Sequence, residues 1–288
     1  MNTIYDRSIN KLYEENIPKS LSFFYNNFIG RIILKILITK PVSKLAGIYM
    51  DSKLSKLKIR KFIKENNINM SEYQKENYMS FNDFFIRKIK VSKRKKDKNK
   101  SNFISPADSR LSVYKIDKNT KFKIKNSVYT VSELIKDKEL AKEYKNGYCL
   151  VFRLSVDDYH HYSFIDDGIL ISQKEINGVL HTVNPIASKK YKVYSENNRV
   201  VSVLSTKNFG KIVYVEVGAL MVGKIKNKIV NKFKKCDEKG YFCFGGSTVV
   251  ILVKQNIIEL DEDILKYSKK DIEVKVKMYE KIGKKAGE

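Results

Sequence analysis

The chain has 288 residues, of which 42% are hydrophobic, and it carries a formal net charge of +25. This length and apolar content are sufficient for a folded protein with a sizeable core. The 3 cysteines are an odd number without a framework spacing, which argues against a disulfide-stapled scaffold. The positive charge favours a polyanionic partner, and nucleic acid and an anionic membrane face satisfy that condition equally.

The N-terminal sequence does not have the pattern of a signal peptide, because acidic residues occur early and no apolar core follows them. The longest apolar stretch, residues 21–50, is interrupted by basic side chains from Arg31 to Lys44. It therefore lacks the roughly 20 successive apolar residues that a membrane-spanning helix needs. Histidines and cysteines do not occur at zinc-binding spacings, so the sequence predicts no metal site.

Residues 1–80 are predicted to be helical. Within residues 28–38 apolar positions outnumber basic ones, and Arg31 and Lys35 share one helical face. This pattern fits a core-facing helix with a solvated basic stripe, and it equally fits an interfacial helix lying on anionic lipid. Residues 52–63 are predicted to form a second basic amphipathic helix. The Lys- and Arg-rich segment 87–100 is typical of a solvated linker, and it could also touch lipid head groups.

From residue 103 onwards the pattern changes to short strands. Six segments are rich in β-branched or aromatic residues: 111–116, 148–156, 169–176, 200–204, 211–217 and 248–254. Residues 131–144 are predicted to be a helix. Because helices do not alternate regularly with strands, a doubly wound parallel sheet is not expected. The predicted fold class is α+β: a mainly β, sandwich- or barrel-like domain over 101–288, and a helical, basic, membrane-associating region over 1–100.

Three polar segments interrupt these strands. Residues 105–110 contain Asp108 and by themselves are typical of a Pro-Asp turn. Residues 153–168 contain Asp158, His160 and His161, which places two of the chain's 3 histidines beside acids after an apolar strand. Residues 244–248 contain Gly246 and Ser247, and by themselves they are typical of a glycine turn before a buried strand.

A second interpretation treats the three segments as one site. An aspartate, a histidine and a serine on separate loops are the parts of an orienting group, a base and a nucleophile. A serine hydroxyl can attack the carbonyl that precedes it, and glycine leaves the carbonyl of residue 246 open to that attack. The local pattern alone does not decide between a turn and a self-cleavage site.

Considered together, the segments resemble the phosphatidylserine decarboxylases, which are pyruvoyl enzymes that process themselves. The resemblance runs from about residue 80 to residue 283, and the matching segments follow the order found in that family. They are FNDFFIR (81–87), SPAD (105–108), RL (153–154) with DYH (158–160), GVLHTVNP (178–185), ENNR (196–199), VGALMVG (217–223) and FGGST (244–248).

The resemblance implies the chemistry of the site. Ser247, activated by a histidine that Asp108 holds, would attack the carbonyl of Gly246 and separate fragment 1–246 from fragment 247–288, which would stay paired. Ser247 would become a covalent pyruvoyl group, the electron sink for conversion of phosphatidylserine to phosphatidylethanolamine. The implied catalytic residues are Asp108, His160 and Ser247. Supporting roles are implied for Asp158, His161 and His181, the last as a structural or substrate-proximal residue.

The chain departs from the family pattern at a few positions. Ser163 stands where the family commonly has a histidine that is often assigned as the processing base. The base would then be His160, His161 or another group, and of the two histidines His160 matches the motif. Lys224 replaces a small residue after Val222-Gly223, while the cleavage site itself is intact.

The resemblance also implies the partners. Phosphatidylserine lies in a membrane, so the basic helices and the 87–100 segment would dock the protein on an anionic surface, peripherally and on the cytoplasmic side of the cell membrane. A homodimer is one assembly that the sequence allows. Two alternatives stay open: a non-processing relative that binds anionic lipid, and a nucleic-acid-binding protein. The second is disfavoured because no helix-turn-helix or interleaved aromatic–basic motif is present.

Overall fold

A computed structural model describes residues 2–74, 77–124, 127–220, 224–245 and 247–287. Gly246, one of the two residues at the expected cleavage site, lies outside the described residues. The same holds for residues 221–223, which end the VGALMVG segment.

Strands make up most of the described chain after residue 100. In chain order they are β1 (Asn2–Asp6), β2 (Lys11–Glu15), β3 (Asn102–Ile104), β4 (Ser109–Lys115), β5 (Lys121–Ile124), β6 (Ser127–Thr130), β7 (Tyr148–Leu154), β8 (His161–Ser163), β9 (Gly168–Ile176), β10 (Arg199–Thr206), β11 (Gly210–Val217), β12 (Ile225–Asn227), β13 (Lys232–Phe233), β14 (Glu238–Phe242), β15 (Ser247–Val253), β16 (Ile258–Leu260), β17 (Glu273–Val276) and β18 (Lys281–Lys285).

Helices are concentrated before residue 90. In chain order they are α1 (Lys19–Asn26), α2 (Phe28–Leu37), α3 (Lys40–Asp51), α4 (Ile59–Glu65), α5 (Phe81–Phe85), α6 (Val131–Ile135), α7 (Lys138–Lys142), α8 (Pro185–Ser188), α9 (Val193–Glu196) and α10 (Glu262–Ser268). Short 3-10 turns lie at Lys53–Lys58, Met70–Glu72 and Val91–Lys93.

The α+β class is confirmed, and the six predicted strands correspond to β4, β7, β9, β10, β11 and β15. They belong to one ten-stranded sheet in the order β13-β9-β10-β11-β15-β7-β4-β17-β1-β2. Its two outer strands, β13 and β2, are not paired with each other in the described residues, so the sheet is not a closed barrel. β15, whose first residue is Ser247, lies in the interior between β11 and β7.

Two hydrophobic layers cover the faces of this sheet. Because strand side chains alternate, Val249 and Ile251 of β15 join one cluster while Val250 and Leu252 join the other. The first layer includes side chains from the small sheets β12-β14-β8 and β16-β18-β3, and the second includes the β5–β6 hairpin and α6. Ser247 shares its side of β15 with Val249, facing the first layer.

The prediction of helix over residues 1–80 is wrong for the first fifteen residues. β1 and β2 form an antiparallel hairpin, with Asn10 in the turn at a φ of 53°. β1 also pairs in parallel with β17, and this pairing joins Ile4 to Glu273 across almost the whole chain. Local sequence carries no sign of such a distant partner. Strand pairing thus crosses the boundary expected at residue 100, and the division of the chain there stays a prediction.

Two predicted helices are less regular than expected. Residues 131–144 form α6 and α7, separated by Lys136, whose φ of 50° ends the first helix. Residues 52–63 begin as a 3-10 turn over Lys53–Lys58 and become α-helical from Ile59. Helix α2 matches the amphipathic segment predicted over 28–38.

A buried ion pair joins the small sheet β12-β14-β8 to the large one. Lys239 of β14 bonds Glu216 of β11, and its ammonium also donates to Ser202 Oγ of β10 at 3.0 Å. Both charged side chains are almost fully buried. The pair therefore fixes the strand that leads to the Gly246–Ser247 bond against the central strands.

Breaking this pair should destabilise the protein. In a Ser247→Ala background, which keeps the chain covalently whole, Lys239→Met should lower the free energy of unfolding by about 3 kcal/mol, because it leaves a buried carboxylate unpaired. Adding Glu216→Leu should recover most of that loss. Urea denaturation measures both effects. The control is Glu65→Gln, which breaks the exposed Lys61–Glu65 pair and should leave stability unchanged. Equal effects of Lys239→Met and Glu65→Gln would contradict this account.

Candidate active site

Ser247 is the first residue of β15 and is completely buried. It lies opposite Leu154 of β7, and its hydroxyl has no hydrogen-bond partner among the residues that the structure describes. Gly245, two positions earlier, has a φ of 124°, a backbone conformation that favours glycine. A buried hydroxyl without a partner costs roughly 1–3 kcal/mol, and such costs are often found at reactive groups.

His160 is also completely buried. Its Nδ1 lies 2.9 Å from the main-chain carbonyl oxygen of Asp158, which can only accept, so Nδ1 carries the proton. Nε2 is buried without a partner in the described part of the chain. Burial lowers the pKa of His160 to about 3. The ring is therefore a neutral imidazole with a free lone pair on Nε2, which is the state of a general base.

Helix α5 brings the histidine loop and the segment before the expected cleavage site together. The ring of Phe85 lies 4.2 Å from that of His160 and 5.2 Å from that of Phe244, measured between centroids. Phe81 contacts Phe244 from another side, at 4.8 Å. We call Phe81, Phe85 and Phe244 the aromatic clamp. It holds Phe244, two residues before Gly246, against the ring that contacts His160.

Two main-chain contacts reinforce the aromatic clamp. Asn82 of α5 accepts a hydrogen bond from the N–H of Phe244 at 3.1 Å, and the N–H of Phe242 donates to the carbonyl of His160 at 3.0 Å. Ser80 caps the helix by accepting from Asp83 N–H at 3.1 Å. The sequence pattern gave no role to Asn82. The FNDFFIR segment indicated that this region matters, but it did not show that Asn82 bonds the main chain of Phe244.

Asp108 is not bonded to a histidine in the described structure. Its carboxylate accepts from Arg94, with Nε to Oδ1 at 2.9 Å, and from the N–H of Met278 at 2.8 Å. Arg94 comes from the basic segment predicted to be a solvated linker, yet it is buried here and also contacts Glu72 at 3.1 Å. In this structure the partner of His160 Nδ1 is the carbonyl of Asp158 and not Asp108, and a role for Asp108 in cleavage stays a prediction.

Asp158 supports the histidine loop through both its main chain and its side chain. Its carboxylate bonds Arg110 and accepts from Ser155 N–H at 2.8 Å. Arg110 also lies 3.3 Å from carboxylate oxygens of both Asp157 and Glu15. These bonds fix the loop whose carbonyl orients His160.

His161 is occupied at both ring nitrogens. Nδ1 lies 3.2 Å from Glu238 Oε2, and Nε2 lies 3.0 Å from the carbonyl oxygen of Ile86. The ring is held between Tyr159 and Tyr241, and the bond to His161 lowers the pKa of Glu238 to about 2. Both ring nitrogens of His161 therefore face other groups of the protein, and these contacts are those of a structural residue.

His181 and Ser163 have partners of their own. His181 Nδ1 is 3.2 Å from the hydroxyl of Tyr25 in α1, and its ring stacks on Tyr191 at 4.0 Å. Burial lowers the pKa of His181 to about 4. Ser163, which replaces the expected second histidine, donates to the carbonyl of Pro106 at 3.3 Å. In the part of the chain that the structure describes, neither side chain bonds His160 or Ser247.

A cavity of about 430 Å³ lies between α3 and the end of β14. Apolar side chains of Ile48, Leu180 and Phe244 line it, so its wall includes a member of the aromatic clamp. Lys224 contributes a positive charge to the same cavity. The cavity gives a small molecule access to the segment that precedes Gly246.

Comparison with known proteins identifies the family of the chain. A sequence model of the phosphatidylserine decarboxylase family matches residues 81–284. The chain is 59% identical over 284 residues to phosphatidylserine decarboxylase proenzyme 2 of Clostridium acetobutylicum, with 98% of each chain covered. It is 45% identical over 274 residues to the phosphatidylserine decarboxylase proenzyme of Clostridium botulinum, with 93% of each covered. The corresponding proenzyme of Clostridium perfringens is 40% identical over 291 residues. The chain belongs to the phosphatidylserine decarboxylase family.

The buried His160 should make stability depend on pH. Its folded-state pKa of about 3 lies below that of an unfolded histidine, so between these values the unfolded chain binds the extra proton. Stability should therefore fall as the pH is lowered from 6.5 towards 4, by up to about 1.4 kcal/mol per pH unit. In the Ser247→Ala background, His160→Gln should reduce this slope, as urea denaturation at several pH values would show. Identical slopes would mean that His160 is not held neutral.

Proposed function

We propose that this chain cleaves itself between Gly246 and Ser247 and then decarboxylates phosphatidylserine to phosphatidylethanolamine. One observation carries the proposal: a buried, unpartnered Ser247 hydroxyl follows a glycine turn, and His160 presents a free Nε2 on a loop bonded to the same segment. A nucleophile and a neutral base, both desolvated, are the groups that self-cleavage needs. The names of the relatives, which are proenzymes, support this assignment.

The cleavage would use groups of this chain alone. His160 Nε2 accepts the proton of the Ser247 hydroxyl, and Oγ attacks the carbonyl carbon of Gly246. The peptide nitrogen leaves that carbon and takes up the proton, so an ester replaces the amide. Loss of the Cα proton of residue 247 then breaks its Cβ–Oγ bond and releases Gly246 as a carboxylate. Addition of water and loss of ammonia leave a pyruvoyl group at position 247.

The unpartnered Ser247 hydroxyl fits this conversion, because no hydrogen bond of the described fold is lost when Oγ leaves. The pyruvoyl group, a ketone next to an amide, would supply the electron sink for loss of CO₂. The surrounding residues would orient the substrate and exclude water. His160, which is neutral, buried and in contact with Phe85 of the aromatic clamp, would hold or return a proton.

The two fragments would stay together after cleavage. β15, which begins fragment 247–288, is paired on both sides by strands of fragment 1–246, namely β11 and β7. β17 of the small fragment likewise lies between β4 and β1. Dissociation of the small fragment would break the pairing of β15 with β11 and β7 and the pairing of β17 with β4 and β1. Assembly of two such units into a homodimer stays a prediction.

The N-terminal helices support peripheral binding to a membrane. No helix in the described part of the chain is long and apolar enough to cross a bilayer. We define the apolar docking face as the exposed large apolar side chains of α2, α3 and the following 3-10 turn. They are Phe28, Ile29, Ile32, Ile33, Ile36, Leu45, Ile48, Tyr49, Leu54 and Leu57.

A face of this kind, with basic residues such as Arg31 and Lys35 among the apolar ones, is typical of helices that lie in the interface of anionic lipid. Helix α3 belongs both to this face and to the wall of the cavity. Docking would therefore place the cavity at the bilayer that holds the substrate, on the cytoplasmic side of the cell membrane.

Cleavage is tested by replacing its nucleophile and its base. Purified protein should run on a denaturing gel as fragments 1–246 and 247–288, the smaller one blocked at its N-terminus. Ser247→Ala should remain uncut, and His160→Gln should slow cutting by about a hundredfold or more. Ser163→Ala is the matched control, since its hydroxyl already has a partner, and it should be cut normally. Full-length wild-type protein that stays uncut and inactive would overturn the proposal.

Membrane docking is tested by placing charge on the apolar docking face. Phe28→Asp combined with Ile36→Asp should reduce co-sedimentation with vesicles containing anionic lipid by tenfold or more, because two apolar side chains can then no longer enter the lipid. Cleavage should continue, since both side chains are about two-thirds exposed, at 69% and 62%. Val128→Asp, on the β5–β6 hairpin, is the control and should bind normally. Wild-type binding that depends on neither anionic lipid nor salt would contradict docking.

A further inference from the structure

The cavity beside the aromatic clamp contains polar groups that the cleavage chemistry does not use. Helix α3, which has 12 residues, begins at this cavity, and Lys40, Ser43 and Lys44 of its first two turns line it. Thr39, the N-cap residue, makes no side-chain capping bond, and Pro41 has no N–H. The N-terminus of a helix carries a partial positive charge that favours an anion.

Ser43 gives an independent sign of a ligand. Its side chain is only 5% exposed, and its Oγ has no hydrogen-bond partner among the described residues. A hydroxyl buried in this way is satisfied when a ligand oxygen or N–H enters the cavity. Asn198 on the cavity wall presents a second such atom, because its Oδ1 is buried without a partner while its Nδ2 donates to Glu175 at 3.4 Å.

Lys224 connects this subsite to the expected cleavage site. Its main-chain carbonyl accepts the N–H of Cys243 at 3.2 Å, and both residues line the cavity. No ion pair involves the ammonium of Lys224 or of Lys44 in the described part of the chain. Two carboxylates in the cavity wall already have partners: Asp51 accepts from Asn82 at 2.6 Å, and Glu175 accepts from Asn198.

We infer that Ser43, Lys44 and Lys224 bind the phosphodiester of the lipid substrate. This rests on the proposed function and deepens it. The phosphodiester is anionic at every physiological pH and carries two free oxygens, so one hydroxyl and two ammonium groups are suitable partners. Ile48 and Leu180 line the same cavity and would contact the glycerol end of the lipid. Phe244 stands on the side towards residue 247, where the serine amine must react.

Binding of the phosphodiester by Lys224 does not follow from the resemblance, since the family has a small residue at this position. In this chain the additional ammonium recognises the head group itself, apart from general attraction to an anionic surface. Lys224 and Ser43 are binding residues of the lipid phosphate, and neither takes part in cutting the chain.

The test compares Ser43→Ala and Lys224→Ser with wild type, all as cleaved protein. Each variant should form fragments 1–246 and 247–288 normally. Each should raise the apparent KM for phosphatidylserine in detergent micelles by about tenfold and leave kcat within about twofold, because a ground-state contact to a charged group is lost. Lys123→Ser, an exposed lysine on the β5–β6 hairpin, is the matched control and should change neither constant.

A soluble probe separates head-group binding from membrane docking. Glycerophosphoserine should inhibit the wild type competitively, and its inhibition constant should rise about tenfold in Ser43→Ala and Lys224→Ser. Unchanged inhibition in these variants, or absence of inhibition in the wild type, would overturn the inference. Inorganic phosphate that inhibits as well as glycerophosphoserine would also overturn it, because the site would then be one for free phosphate.

These outcomes are distinct from failure of the proposed function. If the wild type neither cuts itself nor releases CO₂, the proposed function is wrong. If the wild type is active and the two variants match Lys123→Ser in KM and in inhibition by glycerophosphoserine, only the phosphodiester subsite is wrong.

Discussion

The position of β15 in the interior of the ten-stranded sheet is the constraint on which the site depends. Both edges of this strand are hydrogen-bonded, and its side chains fill hydrophobic layers on both faces of the sheet. Its first residue, Ser247, is therefore held in one place with its hydroxyl away from water. Phe244, which precedes it in the chain, is fixed separately by Phe81 and Phe85 and by Asn82. The described segments on either side of residue 246 are thus each anchored in the fold.

Buried ion pairs also stabilise the region of the site. Many of its carboxylates are used by buried arginines: Arg110 meets Asp157, Asp158 and Glu15, and Arg153 meets Glu15 and Glu273 at 2.8 and 2.5 Å. Glu15 comes from the N-terminal hairpin, so that hairpin completes the ionic network under the histidine loop. Because acids are occupied inside, the net charge of +25 is expressed mainly by surface lysines, which leaves the exterior attractive to anionic lipid.

The sequence was a good guide wherever the determining pattern was local. Segments rich in β-branched and aromatic residues predicted β4 and β15, and the matched segments around Gly246 and Ser247 led to the candidate site. The hairpin β1–β2 could not be predicted, because it is a strand through its pairing with β17 at the other end of the chain. Arg94 was misread because a run rich in lysine gives no sign that one of its members is buried against Asp108. The partner of His160 is a main-chain carbonyl, which leaves no trace in a pattern of side chains.

Because β15 and β17 are strands of the large sheet, cleavage would change how the protein folds and unfolds. The uncut chain can fold by itself, at a rate that does not depend on its concentration. In the proposed mature form the same sheet requires two separate chains to meet, so its refolding becomes bimolecular and its apparent stability depends on dilution. A mature molecule that unfolds also no longer has the peptide bond that once kept its strands together. Activity would therefore be gained once, in a fold that persists because it unfolds slowly.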